Sequence, residues 1–204
     1  MQVFRYFEKD FEKKKTRIQG EAVSTVDELY ILKKKRKLKR AFIFWDHANI
    51  FHVLQELDIR MDYDLVKLKL ARGYHLVAPV MYLGKPRVVY PKKQKFFDML
   101  LKQGWIITET PLKVHSSGKT SQNGVEDLMF LDIYDFAKEG AYEKAIIVSG
   151  DSVFVGVVKE LKELGLDIEV WSFRISLSKA LIHEVGPENV YYFDDVMEEI
   201  TLKD

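Results

Sequence analysis

The chain contains no cysteine. Disulfides and thiolate metal sites are therefore excluded, and any bound metal must sit on oxygen or imidazole. No apolar run approaches the roughly 18 to 20 residues that cross a bilayer, and the stretch from Met1 to Lys15 lacks the apolar segment of a signal peptide. The expectation is a cytoplasmic protein with no membrane partner. Internal repeats and heptad arrays are also absent, and the one low-complexity tract is a short lysine-rich block.

What is present suits a soluble globular chain. The 204 residues are 47% apolar and 31% charged, enough for one cored domain with an extension and too short for two full enzyme domains. The net charge of +1 hides an asymmetry: residues 1–40 carry 13 Lys/Arg against 6 Asp/Glu, which leaves 19 against 25 for the other 164. The boundary is drawn there, with a basic extension over 1–40 and the domain over 41–204. Lys33, Lys34, Lys35, Arg36, Lys37, Lys39 and Arg40 place seven cations in eight residues. Such a block is either a solvated leader or a polyanion contact, since neutralising phosphates releases counterions. Val26, Leu29, Tyr30 and Leu32 allow a helix from Thr25 to Arg40.

Past the block, strand and helix patterns alternate. Ala41 to Trp45 is a continuous apolar run of the kind found in strands buried on both faces, and it predicts the central strand. Helices are predicted over Ile50–Leu57 and Tyr63–Arg72, then a strand over Leu76–Leu83 in which Pro79 signals an edge or a bulge. A basic connection containing Lys92, Lys93 and Lys95 leads to a helix over Phe96–Gln103 and a strand over Trp105–Thr110. His115 to Gly124 has almost no apolar content and predicts a mobile loop, followed by a helix over Val125–Lys138. Lys144–Val148, a helix over Phe154–Leu164 and Leu166–Trp171 form one βαβ unit, so the sheet should be parallel. A helix over Ser178–Glu184 and a strand over Val190–Phe193 follow, closed by Asp195 to Ile200 with Asp194-Asp195 as its N-cap. The class is α/β, a Rossmann-like parallel sheet with helices on both faces.

Ligands of open parallel sheets bind beyond the carboxyl ends of the strands. The first strand ends at Asp46, followed by His47, Ala48 and Asn49. The strand at 144–148 ends in Ser149, Gly150, Asp151 and Ser152. The helix after the polar loop opens with Glu126 and Asp127. Each acid taken alone could cap a helix or complement its dipole. Converging in one crevice, they would raise one another's pKa unless a cation neutralised them, and hard oxygen donors point to Mg²⁺ or Mn²⁺ acting on phosphodiesters. Asp132 lies roughly 240° around the helix from Glu126, so it need not face that crevice. An aspartyl-phosphate mechanism fits less well, because it wants a second Asp where Ala48 stands.

Together, Phe42-Ile43-Phe44-Trp45-Asp46-His47-Ala48-Asn49, Asn123-Gly124-Val125-Glu126-Asp127 with Asp132, Ile147-Val148-Ser149-Gly150-Asp151-Ser152-Val153-Phe154 and Leu161-Lys162-Glu163-Leu164-Gly165 resemble the NYN domain family, the LabA-like branch of the PIN-like nucleases. The resemblance covers roughly residues 41–195. It implies a PIN-like sheet and a metal-dependent endoribonuclease, with Asp46, Glu126 and Asp151 as metal-binding acids and Asp127 adjacent. Asn49, Ser149 and Ser152 would support them, with Asp132 second to these. The partner implied is RNA, guided by the basic block and by Lys92, Lys93 and Lys95; homo-oligomerisation is left open. Two positions depart from the family pattern. Its second aspartate of the turn is Val153 here, and its lysine before the helix motif is Asn123, with Lys119 nearby but out of register. The first departure motivates an alternative, an NYN-fold RNA-binding module with weak or absent catalysis.

Overall fold

The computed structural model describes residues 38–85, 90–111, 113–114, 120–121 and 124–202, all within a unit running from Leu38 to Asp204. Lys33, Lys34, Lys35, Arg36 and Lys37 lie outside the described residues, as do Lys119, Asn123 and most of the polar loop. Of the helix expected to reach Arg40, the described end is not helical: Arg40 opens a strand.

That strand, β1 (Arg40–Asp46), leads directly into α1 (His47–Glu56) and then α2 (Tyr63–Leu70). β2 (His75–Lys85) is followed by α3 (Pro91–Lys102) and β3 (Ile106–Pro111). Two short strands, β4 (Lys113–Val114) and β5 (Thr120–Ser121), pair antiparallel, so part of the expected loop is hydrogen-bonded. Next come α4 (Val125–Lys138), β6 (Lys144–Val148), α5 (Val155–Glu163) and β7 (Asp167–Ser172). The chain continues through α6 (Lys179–Val185), β8 (Val190–Tyr192) and α7 (Met197–Ile200).

Six strands form one sheet in the order β3-β2-β1-β6-β7-β8, and every pairing in it is parallel. β1 is central, and its residues from Ala41 to Asp46 are all buried, which explains its unbroken apolar run. Alternation divides them between two cores. Ala41, Ile43 and Trp45 join Ile50, Val53, Val66, Leu70 and Leu100 from α1, α2 and α3. Phe42 and Phe44 point the other way and pack on Tyr142, with Phe42 also edge-on to Phe136 of α4. Helices thus cover both faces, as the strand-helix alternation requires.

Two expectations are corrected. β2 is not an edge strand: it lies between β1 and β3. The bulge is there, since the register slips between Ala41↔Leu76 and Phe42↔Ala78, just before Pro79. β3 pairs only from Val80 onward, so Pro79 falls where β2 has a strand neighbour on one side alone. Nor do Asp194 and Asp195 cap the last helix. Asp195 forms a bidentate pair with the Arg174 guanidinium at 2.7 and 2.8 Å, and Asp194 accepts from the Arg174 backbone N–H at 3.0 Å. A fork of guanidinium donors satisfies carboxylates better than a short helix end does.

Among the described residues no helix is long and apolar enough to cross a membrane.

Candidate active site

The register of the two central strands builds the site. Trp45 lies opposite Val148, so the residues that follow, Asp46 and Ser149, leave the sheet side by side. Ser149 donates its hydroxyl to Asp46 Oδ2 at 2.9 Å, and the Asn49 backbone N–H donates to Oδ1 at 3.2 Å. The second bond makes Asp46 the N-cap of α1. Asn49 Oδ1 accepts from the Gly150 N–H at 2.9 Å, and Ser149 Oγ accepts from the Asp151 N–H at 3.2 Å. Two loops from different strands are thereby laced together.

Asp46 is 3% exposed. Burial pushes its carboxyl up to about 6; the bonds from Asn49 and Ser149 oppose the shift, and the charges of Glu126 and Asp151 add to it. Those last two contributions bring the three acids of the sequence reading into one electrostatic neighbourhood. Asp151 is exposed and accepts from the Val153 N–H at 3.0 Å, with the Ser152 hydroxyl at a long 3.4 Å. Glu126 is half-buried and Asp127 exposed in the first turn of α4. Asp46 and Asp151 both cap the helical turns that follow them.

Gly150 is demanded by a close approach. A Cβ there would stand 2.2 Å from the Ser176 carbonyl oxygen and 2.8 Å from Ser172 Oγ. The loop after β7 therefore closes on the turn, and the Ser178 N–H donates to the Gly150 carbonyl at 2.9 Å.

Asp132 is held by the strand beside β1. It accepts from the Tyr82 hydroxyl at 2.9 Å, and burial raises its pKa, with Tyr82 and Asp135 as its neighbours. Tyr82 lies opposite Asp46 in the register, and nothing in the sequence singled it out. Its role depends on strand pairing, which periodicity does not encode.

Among the described residues no three His, Asp or Glu side chains stand close enough together to form a ready-made cation cage. The chemistry of Asp46, Asp151 and Glu126 nevertheless fits Mg²⁺ or Mn²⁺: all are hard oxygen donors, and a cation would compensate the buried charge of Asp46, whose carboxyl is raised chiefly by burial.

The predicted cations do not gather in one place. Lys39 pairs with Asp167, while Arg40 bonds Glu143 and the Ala141 carbonyl. Both lie at the amino end of β1, about 20 Å along the strand from Asp46. Lys93 donates to the Gly84 carbonyl at 3.0 Å and lies over the Phe97 ring, and burial lowers its pKa. Lys92 and Lys95 are exposed on the first turns of α3.

His47, directly after Asp46, is a partly packed histidine. Its ring stacks on Phe51 and packs against Phe96, its Nδ1 is shielded without a hydrogen-bond partner, and burial, followed by the charges of Lys93 and His52, lowers its pKa to about 4.

An all-parallel α/β sheet with carboxylates beyond the ends of its two central strands is the arrangement of a PIN-like domain. Within that class the chain belongs to the NYN domain family, whose model matches residues 40–188. A solved structure, that of a protein of unknown function from Vibrio parahaemolyticus, superposes with a TM-score of 0.68 at 18% identity, over 83% of this chain and 99% of that one. The likeness is one of fold. No curated protein matches the chain.

Proposed function

We propose that the chain is a metal-dependent endoribonuclease that hydrolyses RNA phosphodiester bonds at the carboxyl ends of β1 and β6. The reading rests above all on one observation: Asp46, buried at the end of the central strand, has both carboxylate oxygens fixed by Ser149 and the Asn49 N–H beside the turn that carries Asp151. A nuclease fold that buries an acid among acids has built a place for positive charge.

Asp46, Asp151 and Glu126 would hold Mg²⁺ or Mn²⁺, with Asp127 adjacent. The ion would supply water activation and stabilisation of charge on the leaving oxygen. The chain's own groups do the positioning. Ser149 and the Asn49 N–H fix both oxygens of Asp46, Asn49 Oδ1 pins Gly150, and the Val153 N–H orients Asp151. Lys92 and Lys95 are free to meet RNA phosphates, and Lys33 to Lys37 would add sequence-independent attraction. Lys39 and Arg40, paired at the opposite end of the sheet, serve the fold instead.

Labelled RNAs incubated with Mn²⁺, Mg²⁺ or EDTA provide the test, comparing the wild type with Asp46→Asn and Asp151→Asn. Metal-dependent cutting lost in both variants supports the assignment; cutting that persists in both removes it.

One observation favours a second reading. Val153, where the family places an acid, is 45% exposed beside Asp151. An apolar side chain at that rim supports an RNA-binding module with little or no cleavage. Salt-sensitive RNA binding without cutting under any metal would make that reading the better one.

A further inference from the structure

On α1, His47 and Phe51 are one turn apart and share a face, their rings stacked at 5.2 Å with an interplanar angle of 25°. The other side of His47 meets Phe96 of α3 at 5.3 Å. This three-ring stripe starts beside Asp46 and runs outward to Phe51, which is 41% exposed. It is backed by a rigid support: Phe96 packs edge-on to Tyr63, and Tyr63 on the fully buried Trp45 and Trp105. One turn before Phe96 stands Lys92, exposed, with the exposed Lys95 on the same helix. Packing accounts for Phe96 and Tyr63. Phe51 keeps 41% of its surface exposed on the helix that Asp46 caps, while the exposed Lys92 and Lys95 lie on the helix that carries Phe96.

We propose that Phe51, backed by His47 and Phe96 and flanked by Lys92 and Lys95, is a stacking platform for an unpaired base of an RNA strand entering the acid site. The inference rests on the nuclease reading for the identity of the chain that enters, and it deepens that reading by naming the side chain on which a base of that chain stacks. A base in a duplex keeps both faces covered by its neighbours, whereas an unpaired base can lay one face on an exposed ring, with lysines meeting the adjacent phosphates. Phe51 stands on the helix whose N-cap is Asp46, so a base stacked on it would belong to a strand passing the end of β1.

The experiment measures affinity for a fluorescein-labelled 12-nucleotide single-stranded RNA and for the same sequence as a duplex, in EDTA so that nothing is cut. Full-length wild type is compared with Phe51→Ala, Phe51→Leu, Phe51→Trp and Lys92→Ala/Lys95→Ala. Wild type should prefer the single strand. Phe51→Ala and Phe51→Leu should each lose about five- to hundredfold in single-strand affinity with little change for the duplex, and Phe51→Trp should retain it. The double lysine variant should flatten the slope of log affinity against log salt by about 1.4, the value for two phosphate contacts on a single strand.

Full binding by Phe51→Leu would overturn the proposal, since an apolar contact rather than stacking would then suffice. So would unchanged binding by Phe51→Ala, a wild-type preference for duplex, or no RNA binding at all. Parallel cleavage assays separate the two readings. Metal-dependent cutting that needs Asp46 but ignores Phe51 removes the platform and keeps the nuclease. Phe51-dependent single-strand binding with no cutting does the reverse.

Discussion

Ser149 reaches Asp46 with a hydroxyl at 2.9 Å although 103 residues separate them in the chain. The contact exists because β1 and β6 are parallel neighbours whose last paired residues are Trp45 and Val148. Any substitution that shifts one strand end against the other disturbs the acid site first.

Gly150 is the position where such a shift is easiest to impose. With the Ser176 carbonyl only 2.2 Å from a prospective Cβ, Gly150→Ala must push the turn or the loop after β7 aside. Overpacking of this kind typically lowers stability by about 1–3 kcal/mol. Urea unfolding measures that loss, and RNA binding by the folded variant at low urea reports whether the turn has moved.

Asp46 links the site to stability. Its native carboxyl, pushed up to about 6 by burial, holds its proton more tightly than an ordinary aspartate, so protonation favours the fold and this contribution is lost as pH rises through 6. Above pH 6 the buried charge is a burden. Asp46→Asn removes it, keeps an oxygen for the Asn49 N–H, and lets Ser149 accept instead of donate. In EDTA at pH 8 the variant should be more stable than wild type by about 2 kcal/mol, and the advantage should vanish near pH 4. Thermal unfolding across that range, evaluated as free energy, decides the matter; equal stability at pH 8 would count against the strained-acid reading.

Adding Mn²⁺ at neutral pH should raise the unfolding temperature of wild type and leave that of Asp46→Asn unchanged, because a ligand that binds only the native state stabilises it. The same comparison ranks Mg²⁺ against Mn²⁺ without depending on cleavage.

Val153→Asp restores the acid that the family pattern has in the turn, at an exposed position that tolerates charge. Metal affinity should rise, and cleavage should increase by about tenfold, equivalent to about 1.4 kcal/mol of added transition-state stabilisation. Unchanged activity in an already active wild type would mean that Asp46, Asp151 and Glu126 suffice.

Far from the site, Lys144 and Glu169 form a buried pair at 3.0 Å, and Glu169 also accepts from the Tyr74 hydroxyl at 2.7 Å. Lys144→Met leaves that carboxylate without its cation and should lower stability by about 3–5 kcal/mol, with Lys144→Met/Glu169→Gln recovering much of it. Chemical unfolding of the single and double variants at pH 7 is the measurement.

The sequence by itself determined the class of fold and most of the acids. Unbroken apolar runs such as Ala41–Trp45 and Ala145–Val148 read as strands buried on both faces, and the helical stretches between strands favour parallel pairing. Acids directly after such strands had to leave the sheet at its carboxyl end, so Asp46 and Asp151 were legible without coordinates. Tertiary structure alone decided what lies beside them. Asp132 was ambiguous from helix angle and turned to Tyr82, because the β1–β2 register sets Tyr82 opposite Asp46. Pro79 signalled an edge or a bulge, and only the pairing decided between them: β2 is interior, with a register slip just before Pro79 and β3 starting at Val80. Lys39 and Arg40 seemed close to Asp46 in sequence, but an extended strand separates its two ends by its full length and leaves them to bind Asp167 and Glu143. Pattern along a chain reports which face a residue can occupy. Which partner waits there depends on pairings between segments far apart in sequence, and those are fixed only when the sheet closes.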